Sequence, residues 1–247
     1  MLWWPEVVCE TLATAGYQVI RFDHRDTGAS TTGAPGAPDY DIDDMADDLI
    51  AILNAYEVTA AHLVGMSLGG YLSQLVAARH PARVISLTLM ASEPIPGTTY
   101  EGPGIAPGFM AHFSTMETLD WSDRPAVREF LLEIARLSAG WAHPFDATRA
   151  LARINAELDR TDIMQSAFNH ALLAGKVDDS LTIAAIHQPV LVIHGSADPV
   201  IPLLAGEAIA AVVPHTRMIV LNGSGHEIAA PDVPRITAAI LDFIGGL

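Results

Sequence analysis

Short apolar runs alternate with longer amphipathic segments along most of this chain, and this alternation limits the fold more than any other feature. The apolar runs have the length of strands, and the amphipathic segments repeat with the period of a helix. Strands and helices in alternation indicate βαβ units, in which helices connect parallel strands. The apolar runs are rich in Val, Ile and Leu, which is typical of strands covered on both faces. The sequence therefore predicts an α/β fold with a mostly parallel sheet between layers of helices.

The limits of these elements follow from the apolar pattern and from the glycines and prolines between them. The predicted strands cover residues 18–22, 61–65, 84–90, 190–194 and 217–221. The predicted helices cover residues 5–15, 41–56, 68–80, 203–213 and 231–244.

Residues 94–187 break the alternation. They open with a stretch rich in glycine and proline and continue with helical patterns over 126–138, 147–160 and 161–174. A helical insertion between two strands predicts a cap over the carboxyl edge of the sheet, where open α/β sheets bind ligands. We therefore expect a core of residues 1–93 and 188–247 and a cap of residues 94–187.

The apolar side chains of this cap have two interpretations. They either line a pocket for a bulky substrate or, for most of them, form the core of the cap itself. The residues in question are Phe109, Met110, Phe113, Met116, Trp121, Phe130, Trp141, Phe145, Met164 and Phe168.

Composition excludes several classes of function. The net charge of −16 argues against nucleic-acid binding, which requires a basic surface. There is no apolar run of the length that a membrane span needs and no secretory signal at the start. The one cysteine, Cys9, fits a reducing compartment. We expect a cytoplasmic monomer or homodimer that acts on a small molecule.

The acidic run over 39–48 is interpreted as a helix start, with a metal site as the weaker alternative.

A motif that carries chemistry follows the strand predicted over 61–65. Residues 65–69 read G-M-S-L-G and stand between that strand and a helix, so they match G-x-S-x-G in its expected context. A sharp turn at this point exposes the hydroxyl of Ser67 above the sheet, and side chains at Gly65 and Gly69 are expected to clash. The backbone N–H of Leu68 would then point to where a tetrahedral oxyanion forms. The sequence predicts Ser67 as a nucleophile.

A serine needs a base, and the base needs an acid that orients it. In the strand–turn–helix context of G-x-S-x-G, the chain order is serine, acid, base. Asp198 lies in the loop after the fourth predicted strand, and His226 follows the fifth. We therefore expect Asp198 as acid and His226 as base, with Glu93, after the third strand, as a rival acid. His194 is expected to support the loop of Asp198.

The remaining histidines of the cap region have a less specific interpretation. We expect them to be satisfied or solvated, with ligand contact as the alternative. They are His112, His143, His170 and His187.

The order and placement of Ser67, Asp198 and His226 make this chain resemble the α/β-hydrolase superfamily, and the resemblance extends over essentially its whole length. Residues 21–32 read R-F-D-H-R-D-T-G-A-S-T-T, where the wider family has D-x-R-G-x-G-x-S. With Asp26 in place of the glycine, the segment is similar to the aclacinomycin methylesterase group of carboxylesterases. The resemblance implies that this loop is mainly structural, with Asp23 and Arg25 in hydrogen bonds near the active site.

The start of the chain departs from the family pattern. The family's first three strands and its oxyanion loop, which supplies the second oxyanion donor, are expected before the helix at 5–15 and are absent from this sequence. We therefore expect Met1 to be an internal methionine of a longer protein. Strand 18–22 would be the family's fourth strand, without its neighbour.

The predicted activity is cleavage of carboxylic esters through an acyl-enzyme, without a cofactor or a metal. The substrates expected from the resemblance include methyl esters of bulky aromatic or polyketide compounds. Three alternatives remain: a cofactor-free perhydrolase, a carbon–carbon bond hydrolase with the same triad, and a truncated binding protein of low activity.

Overall fold

A four-stranded parallel sheet forms the centre of the molecule, in a computed structural model that describes residues 1–173 and 181–247. Its strands are β1 (Ala61–Met66), β2 (Val84–Met90), β3 (Val190–Gly195) and β4 (Arg217–Leu221), in that order across the sheet. Every neighbouring pair is parallel, so the carboxyl ends of all four strands lie at one edge. The predicted α/β fold with a parallel sheet is confirmed, and these four strands agree with the sequence to within one residue.

Helices cover both faces of this sheet. They are α1 (Glu6–Thr14), α2 (Ile42–Ala55), α3 (Leu68–Arg79), α4 (Pro107–Phe113), α5 (Arg124–Ser138), α6 (Ala147–Arg160), α7 (Leu203–Val212) and α8 (Val233–Gly245). One core joins Met45 of α2, Leu75 of α3 and Ile209 of α7 to one face of the sheet. A second core joins Val8 of α1 and Ile240 of α8 to the other. No helix of residues 1–173 and 181–247 is long and apolar enough to cross a membrane.

The acidic run is the start of α2, as the sequence indicates. Asp41 caps the helix by accepting hydrogen bonds from the backbone N–H groups of Asp43 and Asp44, and the Asp44 carboxylate accepts from the N–H of Asp41 in return. This reciprocal capping satisfies donors that the first turn of a helix leaves free. Arg25 binds Asp48 of the same helix through two hydrogen bonds of 2.7 and 2.8 Å.

The strand predicted over 18–22 is wrong as a strand. These residues join no ladder in the described part of the chain, because the four strands of the sheet pair only with one another. Val19 and Phe22 nevertheless pack against the two cores on opposite faces. The alternating apolar pattern that suggested a strand therefore reflects packing against helices and sheet, without backbone pairing.

The insertion after β2 is helical, with two differences from prediction. Helix α4 begins at the end of the glycine- and proline-rich stretch, where no helix was predicted, and the helix predicted over 161–174 is a 3-10 helix over Met164–Leu172. Residue 174 lies outside the described residues. The tighter 3-10 turns bury Ser166 and Asn169, whose side chains bind backbone carbonyls of a core loop at 2.8 and 3.0 Å.

Aromatic rings of the insertion pack on one another. The ring centroids of Trp121 and Phe130 lie 5.4 and 5.9 Å from that of Phe168, and Phe113 lies 5.8 Å from the same ring. Such spacings are typical of favourable aromatic contacts. For these four side chains the geometry favours the second interpretation, a core within the insertion.

Candidate active site

Ser67 occupies the sharp turn between β1 and α3. Its φ is +52° and its ψ is −122°, a left-handed conformation that costs a non-glycine residue about 1–3 kcal/mol. The turn is held from both sides: the N–H of Ser67 donates to Met90 O on β2 at 2.9 Å, and its carbonyl accepts from Gly70 and Tyr71. Backbone strain of this kind is concentrated at functional sites.

Two glycines make room for this turn, but one differs from prediction. A side chain at Gly65 would lie 2.2 Å from Gly69 O, as expected. At Gly69, the nearest atom would be Nε2 of His24, 4.0 Å away, so the expected clash there is wrong. The second crowded position is Gly70, where a Cβ would lie 2.7 Å from the Ser92 side chain.

Asp198 and His226 form a buried pair at the carboxyl ends of β3 and β4. Oδ2 of Asp198 lies 2.8 Å from Nδ1 of His226. Oδ1 accepts hydrogen bonds of 2.8 Å from the N–H groups of Val200 and Ile201. The Asp198 carboxylate is fully buried, and the His226 ring is 10% exposed. These bonds fix the orientation of the carboxylate, which in turn fixes the tautomer of the ring with its proton on Nδ1.

His194 supports this pair from the end of β3, as the sequence indicates. Its Nε2 donates to the carbonyl of Ile201 at 2.9 Å, in the loop that carries Asp198. Burial lowers the pKa of His194, so the ring is neutral near pH 7. Gly206 on α7 leaves the ring its space, because a Cβ there would lie 2.7 Å from Nδ1.

In the described structure, Ser67 makes no hydrogen bond to the pair of Asp198 and His226. Among the described residues, neither Oγ of Ser67 nor the N–H of Leu68 makes a hydrogen bond, and His226 bonds through its side chain only to Asp198. Nucleophile and base in a free enzyme are often farther apart than in the complex with substrate. The free N–H of Leu68, at the first turn of α3, is available to an oxyanion.

A segment of the insertion holds the loop of His226. The N–H of His226 donates to Ser138 O at 2.8 Å, and the N–H of Ala142 donates to Gly223 O at 2.9 Å. A Cβ at Gly140 would lie 2.0 Å from Gly223 O, and one at Gly225 would lie 2.1 Å from Ser138 O. The two backbones therefore meet where neither has a side chain.

A cavity of about 340 Å³ opens beside Ser67. This volume lies within the range of small-molecule sites. Its lining combines side chains from the core and the insertion: Ile42, Ser67, Leu68, Tyr71, Glu93, His170, Leu173 and Ile201. The ten apolar residues of the insertion named from the sequence do not line it.

Some of these lining residues could have been found in the sequence. Tyr71 follows Ser67 by one helical turn, and Ile201 shares the loop of Asp198. His170 and Leu173 could not, because they reach the cavity only through the folding of the insertion onto the core. His170 is satisfied as expected, because its Nε2 bonds to the carbonyl of Arg25 at 2.7 Å, and it also lines the cavity.

Glu93, the rival acid, faces the cavity. Its carboxylate accepts a hydrogen bond of 2.9 Å from Oη of Tyr100, and it makes none to a histidine in the described structure. Burial and this bond raise the pKa of Tyr100 to about 12. Burial, followed by the charge of Glu93, also raises the pKa of Tyr71. Both phenols are therefore neutral at physiological pH.

Residues 21–32, the segment similar to the methylesterase group, have the structural role that the resemblance implies. Asp23 accepts hydrogen bonds from the N–H of Ala29 at 3.3 Å and from Arg160 at 2.5 Å, and Arg25 binds Asp48. In the described residues, no group of three or more histidine, cysteine or acidic side chains is arranged to hold a metal ion.

Comparison with known proteins agrees with this architecture. A family model described as the alpha/beta hydrolase fold matches residues 1–231. Rhodomycin D methylesterase DauP of Streptomyces sp. (strain C5) is 31% identical over 251 aligned positions, which cover 96% of this chain and 84% of that protein. Rhodomycin D methylesterase DnrP of Streptomyces peucetius is 30% identical, with the same coverage.

A solved structure extends the comparison to the fold. The bromoperoxidase from Bacillus anthracis superimposes with a TM-score of 0.76 at 20% identity, over 99% of this chain and 87% of that one. The fold, the two methylesterases and the matched model agree, and the chain belongs to the alpha/beta-hydrolase fold family.

Proposed function

We propose that this carboxylic ester hydrolase works through a triad of Ser67, His226 and Asp198. The observation that carries the proposal is the 2.8 Å hydrogen bond between buried Asp198 and His226, at the same sheet edge as the strained turn of Ser67. An acid and a base so paired can activate a serine hydroxyl, which is a weak nucleophile by itself.

The proposed reaction has two steps. His226 removes the proton from Ser67, whose Oγ attacks the ester carbonyl, while the N–H of Leu68 stabilises the oxyanion. The C–O bond to the alcohol breaks, and the alcohol leaves with the proton that His226 returns. Water, deprotonated by the same histidine, then attacks the acyl carbon. The bond between that carbon and Oγ of Ser67 breaks, the acid is released, and His226 returns the proton to Oγ. The charge of Asp198 stabilises the imidazolium in both steps.

We propose methyl esters of bulky aromatic or polyketide compounds as the substrate class. The two methylesterases in Streptomyces are named for rhodomycin D, and the cavity beside Ser67 has room for a ring system of moderate size.

We further propose that residues 94–187 act as a cap. In support, backbone contacts join the insertion to loops at the sheet edge, including Ala106 N to Pro199 O at 2.7 Å and His226 N to Ser138 O at 2.8 Å.

Hydrolysis of p-nitrophenyl esters tests the triad. The wild type is expected to release p-nitrophenol with a burst, and Ser67→Ala to lose about 10⁴-fold or more in kcat. Ser114→Ala, which removes an exposed hydroxyl, is the matched control. Equal rates for the wild type and Ser67→Ala would refute the proposal.

A substrate panel separates the other reactions of this fold. Methyl esters of aromatic polyketides should be hydrolysed faster than vinylogous diketones. Formation of a peracid from a carboxylic acid and hydrogen peroxide, at a rate above that of ester hydrolysis, would instead indicate a perhydrolase. Binding of esters without turnover would favour a binding protein.

A further inference from the structure

Three donors converge on the carboxylate of Asp26 where the core meets the insertion. Oη of Tyr40 donates to Oδ2 at 2.5 Å, Nδ2 of Asn169 donates to the same oxygen at 2.8 Å, and the N–H of Gly33 donates to Oδ1 at 2.6 Å. Asp26 is completely buried. A buried carboxylate is stable only with donors of this kind, so the site is built around its charge.

The backbone of Asp26 does not require an aspartate. Its φ is +65°, a conformation that glycine adopts freely and that aspartate adopts at a modest cost. The side chain, with its three hydrogen bonds, is therefore what distinguishes this position from one that holds glycine.

Asn169 transmits this contact to the insertion. Besides its bond to Asp26, its Nδ2 donates to Ala34 O at 3.0 Å and its Oδ1 accepts from the N–H of Gly36 at 2.7 Å. The amide is buried, and both of its ends are engaged, so it has one stable orientation. The chain at residue 169 is thereby fixed against the loop over 26–36.

The next residue, His170, lines the cavity beside Ser67. Its Nε2 lies 2.7 Å from the carbonyl of Arg25, and because a carbonyl can only accept, Nε2 carries the proton. Burial lowers the pKa of His170, so its ring is neutral, and Nδ1, which has no hydrogen-bond partner among the described residues, is an acceptor. The edge-on rings of His24 and Tyr40, with centroids 6.1 and 6.5 Å away, limit its rotation.

The donors of the described lining are the hydroxyls of Ser67 and Tyr71 and the backbone N–H of Leu68. Glu93 is the one formally charged side chain among the described residues of its lining, and it too is an acceptor. The acceptors on His170 and Glu93 can bind ligands that bring hydrogen-bond donors, and the formal negative charge of Glu93 disfavours carboxylates.

We propose that Asp26, acting through Asn169, positions His170 as a hydrogen-bond acceptor that selects neutral esters with a hydroxyl group on the acyl part. Esters without the hydroxyl, or with a carboxylate, are the disfavoured substrates. The proposal rests on the ester hydrolysis proposed above and adds the substrate feature that the site recognises.

Matched aromatic esters test this selection. The probes are the methyl 2-, 3- and 4-hydroxybenzoates, each compared with its methoxy analogue, which has similar ring electronics and no donor, and monomethyl terephthalate as the carboxylate. For at least one ring position, the wild type should have a kcat/KM about tenfold higher for the hydroxy ester than for its methoxy partner. Monomethyl terephthalate should be the poorest substrate.

Three variants locate the origin of this preference. His170→Phe removes the acceptor and should bring the hydroxy-to-methoxy ratio close to one. Asp26→Gly, which the backbone accommodates, should lower the ratio severalfold, with a larger change in KM than in kcat. Asp39→Gly removes an exposed carboxylate that lies just after this loop, at the same cost in chain flexibility, and its ratio should equal that of the wild type. Asp26→Asn, which tolerates the same φ, replaces Asp26→Gly if thermal unfolding shows the latter to be unfolded.

Three results would overturn the proposal: a wild-type ratio near one at every ring position, a preference that survives His170→Phe, or a preference that survives in folded Asp26 variants. Calorimetric binding of hydroxy- and methoxyacetophenones to Ser67→Ala separates this proposal from the proposed function. If esters are not hydrolysed but the hydroxyl preference in Kd depends on His170, only the function fails. If hydrolysis occurs and neither ratio depends on His170, only the present inference fails.

Discussion

The backbone N–H of His226 donates to the carbonyl of Ser138, so the last residue of α5 in the insertion holds the proposed base directly. Around this bond, Gly140, Gly223 and Gly225 approach more closely than side chains would allow.

The first prediction concerns Gly140→Ala. The added Cβ would lie 2.0 Å from Gly223 O, so the His226 loop must move. We expect kcat to fall about 10- to 100-fold with a smaller change in KM, because small displacements of catalytic groups have effects of this size. Gly108→Ala, in the same insertion but with no atom within 4 Å of its Cβ, is the control. Unchanged kcat in a folded Gly140→Ala would contradict the role of this contact.

The two candidate acids can be distinguished by substitution. Asp198→Asn should lower kcat by about 10⁴-fold, because an amide can no longer hold His226 in the productive tautomer. Glu93→Gln should lose far less, since Glu93 bonds to Tyr100 and not to a histidine. Steady-state kinetics on one p-nitrophenyl ester compare the two, and a greater loss in Glu93→Gln would reverse the assignment.

The nucleophile turn predicts opposite outcomes at two neighbouring glycines. Gly65→Ala places a Cβ 2.2 Å from backbone and should lower the free energy of unfolding by about 1–3 kcal/mol or prevent folding. Gly69→Ala meets no atom closer than 4.0 Å and lies in the first turn of α3, where alanine is favoured over glycine by up to about 1 kcal/mol. Urea unfolding measures both. Equal destabilisation by the two substitutions would be inconsistent with the structure.

Asp26 should make stability depend on pH. Burial raises its pKa, but the hydrogen bonds from Tyr40, Gly33 and Asn169 outweigh burial and leave the pKa below its ordinary value. A lowered carboxyl pKa contributes stability that is complete above the unfolded-state pKa of about 4 and is lost as pH falls through the folded-state value. The difference in unfolding free energy between the wild type and Asp26→Asn should therefore be about 1–3 kcal/mol at pH 7 and smaller at pH 3. A difference that does not decrease in acid would show that the charge is not involved.

The features predicted correctly from the sequence are those with local patterns. Strands β1 to β4 are short runs rich in apolar residues, and the G-M-S-L-G segment needs only its flanking strand and helix to be interpreted. The 18–22 pattern misled because packing on two faces produces the same alternation as a strand.

Contacts between distant parts of the chain were beyond a single sequence. Asp26 and Asn169 are 143 residues apart, and nothing in either local pattern indicates the other. The same holds for Ser138 and His226. Gly140 does not have a positive φ, so its need to be glycine comes only from the backbone that it approaches.

The contact of Gly140 with the His226 loop also limits how this enzyme could be redesigned. An insertion from a relative, transplanted between β2 and β3 to change the substrate range, would have to bring a residue without a side chain to the place of Gly140. Without it, the graft would fold onto its new core with a displaced base. Specificity and turnover are therefore not independent modules in this protein, and recombination that changes one must preserve the glycine contact on which the other depends.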